Sequence, residues 1–475
     1  MRFAFCLALL SLCAASRLEA QGVRGTAVSS ARTIELRPLR TDTIDPVLPG
    51  DSAQCGPGPR CIVLVPGERE TAVALMQDVR LTAWGFGVPG LSATAFLRAR
   101  ADIGNGPVWP RSNDAFDALL AYVEYDREPV RMRLGRQRTA GGLGFASYDG
   151  LSVLVQRGPR LFAELYGGRS LARGLVEPRS EVLQGFEDFV PDASVLLIGG
   201  TVGGEPLAGL SAAIRYQREI FADRGALVSE RASGEATLTA FAPLRLSASA
   251  DWDFAFGRAG KADVRAMLPL PRGFRVEAAG RRYVPYFELW TIWGFFDPVA
   301  WHEAETRVVW SRPGGGGPVV GVSAALRRYD ETETGILGPE QERDTRLIAL
   351  NANWDPAERW TLDASYHLET GFGASFGGGD LSVRWSPARD AWVRAFVTAF
   401  EQLEEFRVGE GSVVGGGASA EIPLSPRLSA GGGFSLYRHA STRATEPDWN
   451  QRRAWLSLRV GFGSDPALLT ARRSP

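Results

Sequence analysis

Hydrophobic and polar residues alternate along most of this chain, from about Gln77 to Gly463. In the segment Arg359–Glu369, every second residue is apolar or aromatic, and every residue between them is polar or charged. The segment Leu244–Phe254 repeats the pattern, as does most of 453–462. Because successive side chains of a strand point to opposite faces, a period of two predicts β-strands that each have one apolar face.

Strands of this kind build either a soluble antiparallel sheet or a transmembrane barrel. The alternating segments are about 9–13 residues long, which matches the roughly 9–11 residues of a transmembrane strand better than the 5–6 of a soluble one. Aromatic residues such as Tyr125, Trp360 and Phe462 lie near the segment ends, where interfacial girdles occur. We therefore predict an all-β fold, a transmembrane antiparallel up-and-down β-barrel of about 18–22 strands.

The connections between segments alternate between short and long. Short turns, each with a proline, are predicted at 127–129, 157–159, 204–206, 242–243, 355–356 and 386–387. Outer-membrane barrels have short periplasmic turns and long extracellular loops, so we assign the short turns to the periplasm. A periplasmic N-terminus then requires an even number of strands and one strand ahead of 78–87, with Thr33–Leu39 and Cys61–Val65 as candidates.

The N-terminus has the pattern of a secretory signal peptide. Residues 1–20 combine Arg2, an apolar core and a small residue, Ala20, before the expected cleavage site. Export places Cys55 and Cys61 in an oxidising compartment, where we expect a small-loop disulfide. The predicted organisation is therefore as follows: signal peptide 1–20, periplasmic segment 21–76 with the disulfide loop and a candidate first strand, barrel 77–463 and C-terminal tail 464–475.

Charge and composition exclude several classes of function. The 475 residues carry 53 basic and 54 acidic side chains, and a net charge of -1 argues against a nucleic-acid-binding protein. Beyond residue 20, no stretch approaches 18 consecutive apolar residues, so no transmembrane helix is expected. Lys261 is the single lysine, so positive charge in this protein is almost entirely guanidinium, which binds carboxylate and phosphate in bidentate fashion.

Arginines dominate the predicted inward faces, with carboxylates interleaved. Arg98, Arg100, Arg245 and Arg384 are candidates for lining the channel. Two interpretations stay open for such a wall. It can be a ladder of cross-strand ion pairs that maintains the barrel, or a surface that selects solutes by charge.

Loops folded into the lumen are expected to narrow so wide a barrel. Loop 284–300 is the first candidate for a constriction, and loop 168–192 is the second. The aromatic residues of the first loop are Tyr286, Phe287, Trp290, Trp293 and Phe296. Aromatic rings stack on sugar faces, which makes a carbohydrate path one interpretation. Packing of the loop on itself, or in the outer interface, is the other.

The stretch Arg131–Gly150 resembles the alginate-export-like family of outer-membrane porins. The similarity lies in RLGRQ at 133–137, the glycine-rich loop that follows, and Asp149-Gly150. The resemblance implies a monomeric barrel that passes acidic polysaccharide or smaller solutes through an arginine-rich constriction. It also implies that Arg131, Arg133, Arg136 and Asp149 line that constriction.

Catalytic interpretations find little support. Ser365 and His367 share a strand face, but no motif of a serine hydrolase accompanies them. We expect a protein without enzymatic activity, cofactor or metal. The favoured function is passive diffusion of small or anionic solutes, saccharides among them, through an arginine-lined lumen in the bacterial outer membrane. The alternative is a non-conducting barrel that acts as an adhesin, scaffold or assembly protein. Expected partners are outer-membrane lipid, the outer-membrane assembly machinery and the solutes.

Overall fold

The structure of the protein is a computed structural model. It describes residues 22–36, 39–44, 54–55, 61–104, 115–171, 194–239, 241–284, 300–314, 316–330, 343–371, 376–402, 411–441 and 448–463. The predicted signal peptide and the C-terminal tail lie outside these ranges.

Twenty-two strands form one closed antiparallel barrel, as the alternation predicts. The first barrel strand is β1 (Gly22–Leu36), and a small three-stranded sheet follows it: β2 (Leu39–Ile44), β3 (Gln54–Cys55) and β4 (Cys61–Pro66). The next barrel strands are β5 (Glu70–Trp84), β6 (Leu91–Gly104), β7 (Phe116–Arg127), β8 (Val130–Gly141), β9 (Gly144–Arg157), β10 (Leu161–Ser170), β11 (Val195–Leu207), β12 (Leu210–Phe221), β13 (Leu227–Leu238) and β14 (Arg245–Asp253). The remaining strands are β15 (Arg258–Pro269), β16 (Phe274–Tyr283), β17 (Trp301–Ser311), β18 (Val319–Tyr329), β19 (Asp344–Ala357), β20 (Trp360–Gly371), β21 (Phe376–Ala388), β22 (Ala391–Gln402), β23 (Gly411–Ser425), β24 (Leu428–Ser441) and β25 (Trp449–Gly463).

Helical structure is confined to a single 3-10 turn at Pro271–Gly273 within the described residues. None of the described helices has the length and apolar character needed to cross a membrane.

The first strand closes the barrel. β1 pairs with β25 on one side, where Arg24 is opposite Gly463, and with β5 on the other, where Gly22 is opposite Trp84. The first barrel strand therefore comes from the segment placed ahead of the barrel, and it overlaps only the candidate Thr33–Leu39. The other candidate, Cys61–Val65, lies in the small sheet instead.

The barrel also resumes at Glu70, seven residues before the boundary set from the sequence. The inner positions of this part of β5 include Ala72 and Ala74, which are almost completely buried. Because small apolar residues occupy the inner as well as the outer positions here, the sequence shows no alternation. Hydropathy therefore gives no signal for the start of β5.

Within the small sheet, Cys55 lies directly opposite Cys61 in the register of β3 and β4. Directly opposed residues of an antiparallel pair have Cα atoms within the range that a disulfide spans. The disulfide itself stays a prediction.

The two ends of the barrel differ in the length of their connections. At the short-turn end, strands are joined by segments such as 128–129, 208–209 and 389–390, and both β1 and β25 have their terminal ends there. At the opposite, long-loop end, the connections include 171–194 and 284–300. The even strand count and the place of the N-terminus at the short-turn end confirm the parity argument.

Three predicted proline turns are strand bulges instead. The register shifts between Gly204 and Leu207, between Trp354 and Ala357, and between Trp385 and Ala388, close to the turns that follow. Proline cannot donate a ladder hydrogen bond, and a bulge accommodates it without ending the strand. The true turns therefore follow these prolines by two or three residues.

The outer face of the barrel is apolar and exposed. Leu134, Leu165 and Leu456 point outward, with exposed fractions of 64%, 70% and 70%. The inner face is identified by contacts between strands that are not neighbours, such as Arg215 on β12 with Thr139 on β8. A closed sheet with an apolar exterior and a polar interior is the arrangement of a transmembrane barrel.

The two faces predict opposite responses to a new charge. Leu456→Arg places a guanidinium among outward apolar residues of β25, so we expect it to lower the free energy of unfolding by about 2–4 kcal/mol in a phospholipid bilayer. In the matched control Ser457→Arg, the new side chain points into the lumen. This variant should change the free energy of unfolding by no more than about 0.5 kcal/mol. Urea unfolding followed by tryptophan fluorescence measures both values. Equal losses would show that the outer face does not contact lipid.

Candidate functional site

A continuous ion-pair network lines the lumen from β15 to β20. Arg281 on β16 contacts Asp263 at 3.0 Å, Glu303 at 2.7 Å and Glu305 at 2.7 Å. Arg327 on β18 extends the network, with Nη2 2.8 Å from the same Glu303 and Nη1 3.1 Å from Glu369. Two arginines thus share four carboxylates across six neighbouring strands. The charge of both arginines is therefore neutralised by carboxylates of the wall itself.

A second set of pairs lies on β5 to β8 and includes three predicted channel residues. Arg98 makes a bidentate contact with Asp78, at 2.7 and 2.8 Å. Arg133 pairs with Glu124, and Arg131 pairs with Asp126 at 2.9 Å. The three arginines face the lumen, and each is held by a carboxylate of a neighbouring strand.

Arg136 and Asp149 point to the other side of the wall. In the register of β8 and β9, Arg136 is opposite Asp149 and Leu134 is opposite Leu151, whereas Arg133 is opposite Ser152. Residues three apart on a regular strand lie on opposite faces, so Arg136 cannot share the lumen with Arg133. The prediction that Arg136 and Asp149 line the channel is therefore wrong. They instead form a bidentate pair on the outer face, at 2.8 and 2.9 Å.

A basic sector occupies the lumen wall from β21 to β25. These strands carry four inward arginines and two inward carboxylates among the described residues: Arg384, Arg394, Arg453, Arg459, Asp380 and Glu421. Arg384 lies directly opposite Arg394 on the neighbouring strand. Like charges in that position repel each other, so this sector attracts anions.

Two arginines of the basic sector lie over aromatic rings, and Arg459 lies 3.9 Å from Glu421. The guanidinium of Arg384 is 5.1 Å from the Trp392 ring centre, and that of Arg453 is 5.0 Å from Tyr437. A cation–π contact orients a guanidinium without cancelling its charge. Arg394 and Arg453 are also exposed although they face inward, so the lumen is open to solvent beside them.

The other two predicted channel arginines also face inward. Arg245 is opposite Met267 at the short-turn end of β14. Arg100 is opposite Met76 on β5 and has an interaction partner. Neither belongs to the basic sector.

A hairpin tip folds into the lumen at the long-loop end. The tip (residues 139–146) joins β8 to β9 and reaches β12 and β13. Arg215 donates a hydrogen bond to Thr139 at 3.2 Å, and Arg231 donates one to the carbonyl of Leu143 at 3.2 Å. The tip therefore covers the inner face of β10 and β11, where Leu197 is fully buried.

Polar and aromatic side chains fix the base of the hairpin tip. The rings of Tyr148 and Tyr166 stack with centres 5.7 Å apart, and the Tyr166 hydroxyl donates to Gln217 at 3.3 Å. Ser152 donates a hydrogen bond to Gln137 at 2.8 Å. These buried contacts make the tip part of the wall and leave less room for solutes on that side.

Glycines permit the close strand approach below the hairpin tip. A Cβ atom on Gly150 would lie 2.0 Å from the carbonyl oxygen of Gly167, and one on Gly168 would lie 2.2 Å from that of Asp149. Gly135, with a φ of 125°, faces Ala121 in the same way at 2.3 Å. Glycine within strands marks bends and close backbone approach, which lets the sheet turn inward here.

The inward hairpin was missed because its signal is indirect. Loop 138–148 is polar and glycine-rich, and the aromatic loop 284–300 offered larger side chains. The constriction candidates Tyr286, Phe287, Trp290, Trp293 and Phe296 lie outside the described residues. The row of glycines at 135, 150 and 168 was the available sequence signal.

A cavity of about 450 Å³ indents the lumen wall near the short-turn end. Its polar lining includes Arg307, Asn351, Asp363, Asp380 and Arg394. Asn353 donates to Asp363 at 2.6 Å, but neither cavity arginine pairs with a carboxylate in the described part of the chain. The described residues contain no group of three side chains that could hold a metal ion.

The close strand approach predicts a strong asymmetry between two glycines. Gly150→Ala forces a Cβ against a neighbouring carbonyl, so we expect a loss of about 1–3 kcal/mol of stability. Gly280→Ala is the matched control, because nothing lies within 4 Å of its added Cβ. It should be neutral or stabilising by up to about 1 kcal/mol. Urea unfolding of both variants measures the difference, and equal stabilities would contradict the close approach.

Three solved structures show how far the likeness to known proteins extends. The siderophore receptor PirA from Pseudomonas aeruginosa aligns with a TM-score of 0.51 and 14% identity, over 92% of this chain and 80% of that one. A variant of the ferric enterobactin receptor PfeA from the same organism gives 0.52 and 13%, over 93% and 81%. A BenF-like porin from Pseudomonas fluorescens Pf-5 gives 0.41 and 8%, over 93% and 99%, which is too low to relate the two barrels.

At these identities the likeness to PirA and PfeA extends to the fold alone. No protein-family model matches the chain, and no curated protein matches it either. The resemblance to the alginate-export-like family therefore stays a prediction.

Proposed function

We propose that the protein is an outer-membrane channel for passive diffusion of small or anionic solutes, saccharides among them. The observation that carries the proposal is the basic sector. Arg394 and Arg453 are exposed in the lumen and make no ion pair with a described carboxylate. By contrast, Arg131 on β8 and Arg327 on β18 are paired with carboxylates. Arg394 and Arg453 therefore offer positive charge to a passing solute.

The location in the outer membrane is supported by two further features. The exposed apolar exterior fits lipid, and the signal pattern at 1–20 predicts export. The cavity near the short-turn end adds amides, carboxylates and hydroxyls to the wall, which suits hydroxylated solutes.

The basic sector predicts anion selectivity. In planar bilayers with a salt gradient, the wild-type protein should show a reversal potential of the anion-selective sign. Arg394→Gln/Arg453→Gln removes two lumen charges. A unit charge at about 8 Å in water changes the local anion and cation concentrations about twofold each, in opposite directions. Removing two charges should therefore lower the anion-to-cation permeability ratio about 16-fold.

The matched control for selectivity removes the same charge from the outer face. Arg438→Gln/Arg452→Gln should leave the reversal potential unchanged, because both side chains point away from the lumen. An unchanged potential in the lumen variant would show that the basic sector is structural. Absence of any conductance in the wild type would favour the adhesin, scaffold or assembly function.

The inward hairpin tip predicts a second change in conductance. Thr139 is opposite Ala146, so replacing 140–145 with Asn-Gly shortens the tip without altering the register below it. Single-channel conductance should increase, because the shortened hairpin no longer covers β10 and β11. Replacing 254–257 with Asn-Gly is the control, since this turn between β14 and β15 makes no such crossing contact among the described residues. Equal conductance in all three proteins would show that the tip does not restrict the path.

A further inference from the structure

Between the two ends of the barrel, most outward arginines of the described strands lie at one level of the outer face, and Arg138 lies one position beyond it on β8. On β25, the outward residues that follow Phe462 from the short-turn end read Val460, Leu458, Leu456 and Ala454, and then Arg452. On β24, those that follow Leu428 read Ala430, Gly432, Phe434 and Leu436, and then Arg438. The same position after three or four apolar or small residues is occupied on β10, β12, β16 and β18 by Arg169, Arg218, Arg282 and Arg328.

This level corresponds to the edge of the lipid hydrocarbon. Eight residues of a strand rise about 26 Å along its axis, or about 20 Å along the membrane normal at a tilt near 40°. The apolar band of an outer-membrane barrel is about 25 Å tall. The arginines therefore lie where headgroups begin, on the side of the long-loop end.

Two of these arginines have no partner of their own. Arg282 lies 2.9 Å from Asp330, and Arg328 lies 3.9 Å from Asp344. Arg438 and Arg452, by contrast, are exposed and make no ion pair or hydrogen bond with any described residue. They are also neighbours, because Arg452 is opposite Leu436 and Arg438 is opposite Asn450.

The spacing of this pair suits one phosphate. Diagonal neighbours of an antiparallel pair lie about 7–8 Å apart, within reach of long side chains. Two guanidiniums at that distance repel each other in the free protein, and they can converge on one multivalent anion through bidentate hydrogen bonds. Phe434 and Leu456 lie below them on the same face, so the anion must belong to a molecule with an apolar body.

We propose that Arg438 and Arg452 form a binding site for the phosphate of an anionic glycolipid in the leaflet at the long-loop end. The other outward arginines extend the site around the barrel at the same level. The proposal rests on the outer-membrane location given above, but it does not depend on conduction. A free phosphate ion would gain nothing from the apolar surface below the pair, whereas acyl chains would cover it.

Binding of bisphosphorylated lipid A to the detergent-purified protein tests the site. Native mass spectrometry at several lipid concentrations gives the apparent Kd for the wild type, for Arg438→Gln/Arg452→Gln and for Arg394→Gln/Arg453→Gln. Each arginine near a charged membrane surface contributes about fivefold to binding, so the outward double variant should bind roughly 30-fold more weakly. The lumen double variant loses the same charge and should bind like the wild type.

Further arms of the same experiment identify the ligand. Dephosphorylated lipid A should bind the wild type as weakly as bisphosphorylated lipid A binds the outward variant, and inorganic phosphate at millimolar concentration should not displace the lipid. Equal affinity of the wild type and the outward variant would overturn the proposal, as would equal binding of dephosphorylated lipid.

Additional variants and conductance measurements separate lipid binding from effects on folding and on conduction. Should the double variant fail to fold, Arg438→Gln and Arg452→Gln singly should each weaken binding about fivefold, and no change in either would equally overturn the site. Loss of conductance with intact lipid discrimination would reject the channel and leave the lipid site standing. Intact anion selectivity, together with equal lipid binding by the wild type and the outward variant, would reject the lipid site and leave the channel standing.

Discussion

The ladder of backbone hydrogen bonds that closes the sheet is the constraint on which the rest of the molecule depends. Lipid offers no partner to a backbone N–H or C=O, so a sheet in a membrane must have no free edge. Here the closure is made by β1, which lies between β25 and β5 although most of the chain separates it from β25. The residues of β1 are fixed in register by both neighbours, and each barrel strand from β5 to β24 pairs with the next one along the chain.

Closure divides the side chains into two populations, and the chemistry of each follows from its surroundings. Outward positions hold apolar residues because a charge there is costly in lipid. Inward positions hold charge, but the charge is arranged unevenly around the lumen. Glu303 is shared by Arg281 and Arg327 in the ion-pair network, while Arg384 and Arg394 face each other in the basic sector. The electrostatic field in the lumen therefore differs between the ion-pair network and the basic sector, although the chain as a whole is nearly neutral.

The sequence predicted the parts of this molecule that depend on local periodicity. Alternation identified the barrel, its strand count and the inward position of Arg133, because side-chain direction follows from a period of two. The same rule, applied across the interval from Arg133 to Arg136, places the two side chains on opposite faces. Family resemblance in that stretch obscured this. Bulges at Pro206, Pro356 and Pro387 could not be told from turns, since proline favours both.

The parts that escaped prediction are those determined by contacts between distant segments. Thr139 and Arg215 are far apart in sequence, and nothing local to either residue indicates that a hairpin tip crosses the lumen to join them. Gly150 and Gly168 carried the only trace, as positions where a Cβ would strike the next strand. A glycine in a strand can also mean a bulge or a lipid-facing surface, as the open surroundings of Gly280 show. The contacts that a strand glycine makes with the neighbouring strand decide which of these roles it has.

The same side chain serves three purposes in this barrel, and its surroundings decide which. A guanidinium between carboxylates, such as Arg281, stabilises the wall. One over an aromatic ring, such as Arg453, keeps its charge available to the lumen. One at the edge of the apolar band nearest the long loops, such as Arg438, faces the headgroups of a single leaflet. Among the described residues, the outer face has no matching row of arginines inside the strand termini at the short-turn end. A barrel with arginine at one edge of its lipid-facing band fits a bilayer whose leaflets differ in charge. The outward arginines and the long loops lie at the same end of the barrel. Both features therefore predict the same orientation of the molecule in the membrane.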